Sequence, residues 1–407
     1  MQPQNCQTFS RMSIVTAIMT IFVVSFSMLA AAHSEDANAI FAVAPRLATS
    51  VNGVSIFAAP PKGFNALTAT NKELLTYGLP QRPAKDVDER GYSVWERAML
   101  SSTTHVTDVR ATPYSSRAMT PTGKPEKMAE SAATAVSSLN WSGIANTNKN
   151  TKWNNNTSFT QVASVWNVPF ARAPFGDCSL SPLQEVSWNG IDGYSNGDVV
   201  QGGSGSYFTP GAIPPCAGAG TPNYFGWVEW YPSYPILELI CGNSPCPVSS
   251  GDDFFVVTFA SPGFESDHKK IIATFASPGF ANQNVYVNDL TQGWAGTTNL
   301  SWQSGPGVVG NSAEYIVERP CCDPNGRNQP LIDYMYEFFD FAHAVDGKGT
   351  EFYPGSSSSS TLIITMDADD GTTPISHPRS YGTAGNEGKY AIWMEDLNCA
   401  YLGGCTP

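Results

Sequence analysis

Two glutamates stand out in Ala313-Glu-Tyr-Ile-Val-Glu318, where polar and apolar residues alternate with period two. That alternation predicts a β-strand. Glu314, Ile316 and Glu318 share one face, and Ala313, Tyr315 and Val317 share the other, which suits a core. A carboxylate in such a place can take a proton from water and give it back. The two glutamates are about 13 Å apart at about 3.4 Å per residue. They cannot share a proton, so they are not a carboxylate dyad. Either one needs a partner from another strand. Alone, the pattern also fits two solvated acids on an edge strand.

The usual partners are missing. His268, His343 and His377 stand isolated after residue 140 and read as surface or loop residues. There is no His-Glu-x-x-His and no Gly-x-Ser-x-Gly. Neither Asp-Thr-Gly nor Asp-Ser-Gly occurs. Gly202-Gly-Ser-Gly205 lacks the Lys-Ser/Thr ending of a phosphate loop. What remains is a carboxylate with an amide, and Gln201 in Val199-Val-Gln-Gly-Gly203 is the amide. By itself, a Gln beside glycines is a turn residue.

Order changes that reading. Asn140-Trp-Ser-Gly143 is followed by Trp188-Asn-Gly-Ile-Asp-Gly193, Val199–Gly203, Trp227-Val-Glu-Trp-Tyr-Pro232 and Ala313–Glu318. These blocks, in this order, resemble the glutamic peptidases (eqolisins) from about Leu139 to the C-terminus. The resemblance implies an all-β fold, an antiparallel double-sheet β-sandwich of the concanavalin-like jelly-roll type. It implies polypeptide substrates, no cofactor and no metal. It makes Glu318 and Gln201 the catalytic pair. Trp141, Trp188, Asp192, Trp227 and Glu229 would line the substrate groove. Glu318 would deprotonate water and later protonate the leaving nitrogen. Gln201 would donate to the developing oxyanion and help hold the water. The chain departs from the family pattern at Tyr315, Asn189 and Gly202, where Trp, Val and Thr are usual. The Trp188–Gln201 spacing is one residue short. Two other functions fit aromatic-lined sheets. One is a carbohydrate-binding or glycan-cleaving sandwich using Glu229 and Glu318; the other is a non-catalytic adhesin.

Composition supports the all-β expectation. The chain has 407 residues, 42% hydrophobic and only 14% charged, with 36 Gly and 30 Pro. Strand-like runs fall at 162–168, 186–191, 225–230, 254–259, 284–289, 313–318, 336–342, 361–366 and 390–394, with no long amphipathic helix between them. From Asn140 onward there are ten Lys/Arg against 25 Asp/Glu, a difference of −15. Such a domain repels nucleic acid and anionic membranes.

Three parts follow. Residues 1–32 hold an apolar run ending in Ala30-Ala31-Ala32 and read as a secretory signal peptide. Residues 33–138 read as a pro-segment and linker, with short helices at 72–77 and 93–100 and a flexible stretch over 115–138. Residues 139–407 are the catalytic sandwich. Apart from Cys6, the cysteines are 178, 216, 241, 246, 321, 322, 399 and 405, an even set that suits export. Cys241–Cys246 and Cys399–Cys405 could close small loops. Adjacent Cys321 and Cys322 are expected to pair elsewhere, with Cys178 and Cys216 as candidates. The expected product is a secreted monomer, free of the membrane once the signal is cut. It would be a zymogen that matures below about pH 5, the range of ordinary carboxyl titration. Thr258-Phe-Ala-Ser-Pro-Gly-Phe264 recurs at 274–280 and reads as a local duplication without catalytic role.

Overall fold

The computed structural model describes residues 45–397 except 87, 123–125, 128–132, 155, 173–182, 210–220, 261–281, 323–325, 356–359 and 383–389. The signal segment, Cys178, Cys216, Cys399, Cys405 and nearly all of the duplication lie outside the described residues.

Alternating side chains build two antiparallel layers. The front sheet contains β2 (Asp108–Ala111), β3 (Trp141–Thr147), β5 (Leu183–Ile191), β6 (Val199–Thr209), β7 (Thr221–Tyr231), β8 (Leu237–Cys241), β12 (Ser312–Glu318) and β14 (Ser360–Asp367). Its spatial order is β14-β3-β12-β5-β6-β7-β8-β2. The back sheet contains β1 (Val54–Phe57), β4 (Phe159–Asn167), β9 (Asp253–Ala260), β10 (Asn282–Asp289), β11 (Trp294–Ser301), β13 (Tyr336–Asp346) and β16 (Ile392–Asp396). Its order is β16-β13-β4-β9-β10-β11-β1. β15 (Pro374–Tyr381) pairs with β14 on one side and β16 on the other, so it joins the layers.

The sandwich core lies between the layers. Val200, Val228, Trp230, Ala313, Tyr315 and Val317 of the front sheet meet Val162, Trp166, Phe254, Val256, Val285 and Phe339 of the back sheet. The front sheet's outer face carries a second apolar cluster, with Trp141, Val186, Trp188, Val199, Trp227 and Ile316. The back sheet's outer face carries a third, with Val165, Phe255, Val257, Tyr286 and Phe341. Helices α1 (Asn71–Thr76) and α2 (Glu89–Ser101) cover that third cluster through Leu75 and Ala98. Thr70 caps α1 in a capping box with Glu73, and Asp88 caps α2. Each of the tryptophans on the front face hides on the order of 200 Å², worth up to about 5 kcal/mol by area. That face therefore also needs a cover.

Several expectations change here. β12 is not an edge strand but sits between β3 and β5. The stretch read as a flexible linker is ordered over its described residues. Thr134–Ser138 lies parallel to β14, and Ser115–Thr122 runs along the front sheet. Cys241 and Cys246 are bonded as expected, whereas Cys321 and Cys322 are bonded to each other rather than elsewhere. His343 is buried on β13 rather than at the surface.

The core also holds acids. Glu185 and Glu337 reach the same hydroxyl, Ser187 Oγ, from opposite sheets. A hydroxyl has one hydrogen, so at least one of these carboxyls must carry a proton and donate it to the oxygen. Ser206 Oγ donates to the other oxygen of Glu185. Burial pushes Glu185 up to about 7 and Glu337 well above the ordinary range. Asp198, buried beside Trp230, is pushed up to about 8. A carboxyl whose folded pKa is raised stabilises the fold fully below its unfolded pKa, near 4. That stability is lost as pH rises through 7 and 8. The melting temperature of the full chain should therefore fall by roughly 10 °C or more between pH 5 and pH 9. Glu337→Gln should flatten part of that slope. A melting temperature that is level or rises over this range would exclude the buried-acid account.

Candidate active site

Register brings the site together. Gln201 on β6 lies directly opposite Glu229 on β7 and opposite Gly190 on β5. Two residues back along β5, Trp188 occupies the same outer face. Glu318 ends β12 opposite Val186 and Trp141. So four neighbouring strands and the start of β3 deliver Gln201, Glu229, Trp188, Glu318 and Trp141 to one patch. Trp141 meets Trp188 edge-on, with ring centroids 4.9 Å apart at 76°.

The contacts are specific. Gln201 Nε2 donates to Glu229 Oε2 at 2.9 Å. Its second amide hydrogen is left for another acceptor, and Gln201 Oε1 is buried without a partner. Glu318 Oε2 accepts from Trp188 Nε1 at 3.0 Å. Glu318 Oε1 accepts from Asn140 Nδ2 at 3.3 Å and from the backbone N–H of Arg117 at 3.0 Å. Gln201, Glu229 and Glu318 are all 0% exposed.

The cover is the chain itself. Ser115 Oγ lies 2.7 Å from Glu229 Oε1, and the backbone N–H of Ser116 donates to Glu229 Oε2 at 3.1 Å. Tyr114 and Met119 pack against the tryptophan cluster. Residues 114–119 therefore form a strap across the patch.

Burial raises both acids. Desolvation pushes Glu229 up to about 7, against the donors Ser115, Ser116 and Gln201. Desolvation, with the nearby charge of Glu229, pushes Glu318 up to about 8, against Arg117, Asn140 and Trp188.

The other expected groove residues differ in setting. Trp227 is fully buried and its Nε1 donates to Ser204 O at 2.9 Å, as a packing residue does. Asp192, at φ 71°, turns its carboxylate to the backbone N–H groups of Val309, Gly310 and Asn311. It holds that loop and makes no bond to the Gln201–Glu229–Glu318 group. Glu314 is fully buried on the same face as Glu318, and burial raises it well above the ordinary range. Asn140 and Ser115–Arg117 were not among the expected site residues. Asn140 could have been found, since it opens the first matched block. Nothing local marks the strap.

Residues 139–262 match the Peptidase A4 family. The match starts at Leu139, where the resemblance was placed, and includes Gln201 and Glu229. Glu318 lies beyond it. Among solved structures, scytalido-glutamic peptidase with a transition state analog inhibitor has 17% identity and a TM-score of 0.44, over 63% of this chain and 98% of that one. SCP-B, an eqolisin in complex with the tripeptide Ala-Ile-His, has 17% identity and a TM-score of 0.43 over the same shares. Aspergilloglutamic peptidase from Aspergillus niger has 19% identity and a TM-score of 0.37, over 53% of this chain and 99% of that one. No curated protein matches.

Donors to Glu318 favour its ionised form. Removing one should raise its pKa further. Trp188→Phe keeps the ring and removes the N–H. In an NMR titration of the full chain, the Glu318 carboxyl should move up by roughly one pKa unit, the scale of a hydrogen bond to a charged group. An unchanged or lower value would show that this bond does not act on Glu318.

Proposed function

We propose that this chain, whose residues 139–262 match the Peptidase A4 family, is a glutamic-type endopeptidase that cleaves polypeptides with Glu318 and Gln201. The observation that carries the reading is a peptide already in place. The backbone nitrogen of Arg117 lies 3.0 Å from Glu318 Oε1, within proton-transfer reach.

Each part of the reaction then has a group. Glu318, held by Trp188 and Asn140, takes a proton from the attacking water. Gln201, oriented by Glu229, offers its free amide hydrogen to the oxyanion. An amide keeps that donor at acid pH, when a carboxylate would not remain a fixed charge. Glu318 then returns the proton to the leaving nitrogen. Glu229 acts as a positioning residue, because it fixes the amide and touches no reacting atom in this scheme.

The same reading makes the chain a secreted monomer, synthesised as a precursor with a signal peptide and a pro-segment. No helix among the described residues is long and apolar enough to cross a membrane. Once the strap leaves, water reaches Glu318 and lowers its pKa toward the ordinary carboxylate range. A single carboxylate that must be base and then acid works best near its own pKa, so the enzyme is an acid peptidase.

Casein digestion at low pH tests the pair. Gln201→Ala should lower the rate by about 10²–10³, the cost of losing one oxyanion donor. Glu318→Gln should abolish it. Circular dichroism should show both variants folded. Full activity in either variant would sink the assignment. Release of sugars from polysaccharide without casein cleavage would point to the glycan reading instead.

A further inference from the structure

We propose that residues 112–120 are a built-in pseudosubstrate, with the Ser116–Arg117 peptide bond in the scissile position and the Ser115 hydroxyl as the lock that keeps it uncut. This rests on the Glu318–Gln201 reading above.

The strap is held as a groove holds any polypeptide, by its main chain. Thr112 N donates to Ile236 O at 3.0 Å, and Ile236 N donates back to Tyr114 O at 3.0 Å. Ser115 N donates to Cys321 O, and Cys321 N donates to Ser115 O, both at 2.7 Å. Past the acids, Met119 N donates to Gly193 O at 3.1 Å, and Thr120 N to Asn140 Oδ1 at 2.9 Å. These bonds ignore side-chain identity, which is the mark of strand addition. Specificity comes from Tyr114 and Met119, whose side chains pack on the apolar cluster. A free substrate in the same path would present large apolar side chains at those two places.

The reacting atoms are nearly set. Arg117 N is on Glu318, but the carbonyl oxygen of Ser116 is bonded to Ser115 Oγ at 3.0 Å. Ser115 has one hydroxyl hydrogen, and its oxygen also meets Glu229 Oε1. The consistent arrangement is a relay. While Glu229 is ionised it accepts from Ser115 Oγ; once protonated it donates to Ser115 Oγ, and Ser115 donates to Ser116 O. Glu229 Oε2 is then free to accept from Gln201 and from Ser116 N, as it does. The scissile carbonyl is thus polarised by a serine of the strap, away from the amide of Gln201. Cleavage would need water to add to the Ser116 carbonyl carbon and the C–N bond to break. The new Ser116 carboxyl keeps the water oxygen, and Arg117 nitrogen gains a proton through Glu318. Because the strap is tethered, its effective concentration is of millimolar order, and outside peptides compete poorly.

The test uses the full chain and Ser115→Ala. Mass spectrometry should find Ser115→Ala cut between Ser116 and Arg117 at least tenfold faster than wild type. Freshly purified, uncut Ser115→Ala should also turn over a fluorogenic peptide that the uncut wild type leaves alone. Ser115→Thr, which keeps the hydroxyl, should stay latent. If Ser115→Ala remains as latent as wild type, or its first cut falls outside 112–120, the lock is overturned. Deuterium exchange at the Ser116 and Arg117 amides separates the two claims. Protected amides in a chain that never cleaves casein would keep the plug and remove the peptidase. Freely exchanging amides in a chain that does cleave casein would remove the plug and keep the peptidase.

Discussion

The seating of β12 between β3 and β5 is the constraint on which the site depends. A slip of one residue would send Glu318 into the sandwich core and bring Tyr315 and Val317 out. The register is fixed because both faces are buried, one by the core and one by the tryptophan cluster. It also depends on a glycine. Gly143 sits at φ +152°, and a Cβ there would lie 2.0 Å from the carbonyl oxygen of Tyr315. Any side chain would push β3 away from β12 and would move Trp141 relative to Glu318.

Acidity has a different meaning in the structure than in the charge count. The excess of acids after residue 140 reads as self-repulsion across a surface. Many of those acids are inside instead. Asp192, Asp198, Glu185, Glu229, Glu314, Glu318 and Glu337 are all buried. Asp192 and Glu318 are answered by backbone or side-chain N–H groups, while Glu185 and Glu337 meet at a shared hydroxyl. Neutral carboxyls can be packed like amides, so these acids burden the fold least when they are protonated.

What could be read in advance follows from where the information sits. The strand over 313–318 was legible because one whole face, Ala313, Tyr315 and Val317, is apolar and meets the core, while both glutamates fall on the other. The Gln201 strand was not, since Gly202, Gly203 and Gly205 look like a turn. They are there for room: a Cβ on Gly203 would lie 1.9 Å from Ser187 O. β11 was missed because Thr297, Thr298 and Asn299 look polar, though all are buried and Asn299 bonds Asn284. The stretch 115–138 looked like a linker because its composition is that of one. Its order comes from Cys321, Glu229, Glu318 and β14, more than a hundred residues away, and local composition carries no trace of such partners. Within the site, block order pointed to Gln201 and Glu318. It did not show that the carboxylate of Asp192 faces a loop.

The described part of the chain before the strap is also structural fabric. β1 extends the back sheet beyond β11, and β2 extends the front sheet beyond β8. The proposed cut in the strap would break a covalent link but none of these ladders, so the severed piece would stay as an annealed second chain. Were that piece to depart, two rows of unpaired N–H and C=O groups would open to solvent, one on each layer. Such rows are templates for adding a foreign strand. On the proposed reading, loss of the strands before the strap would leave the protein with two adhesive rims, and its lifetime would become a question of crowding and concentration as much as of folding.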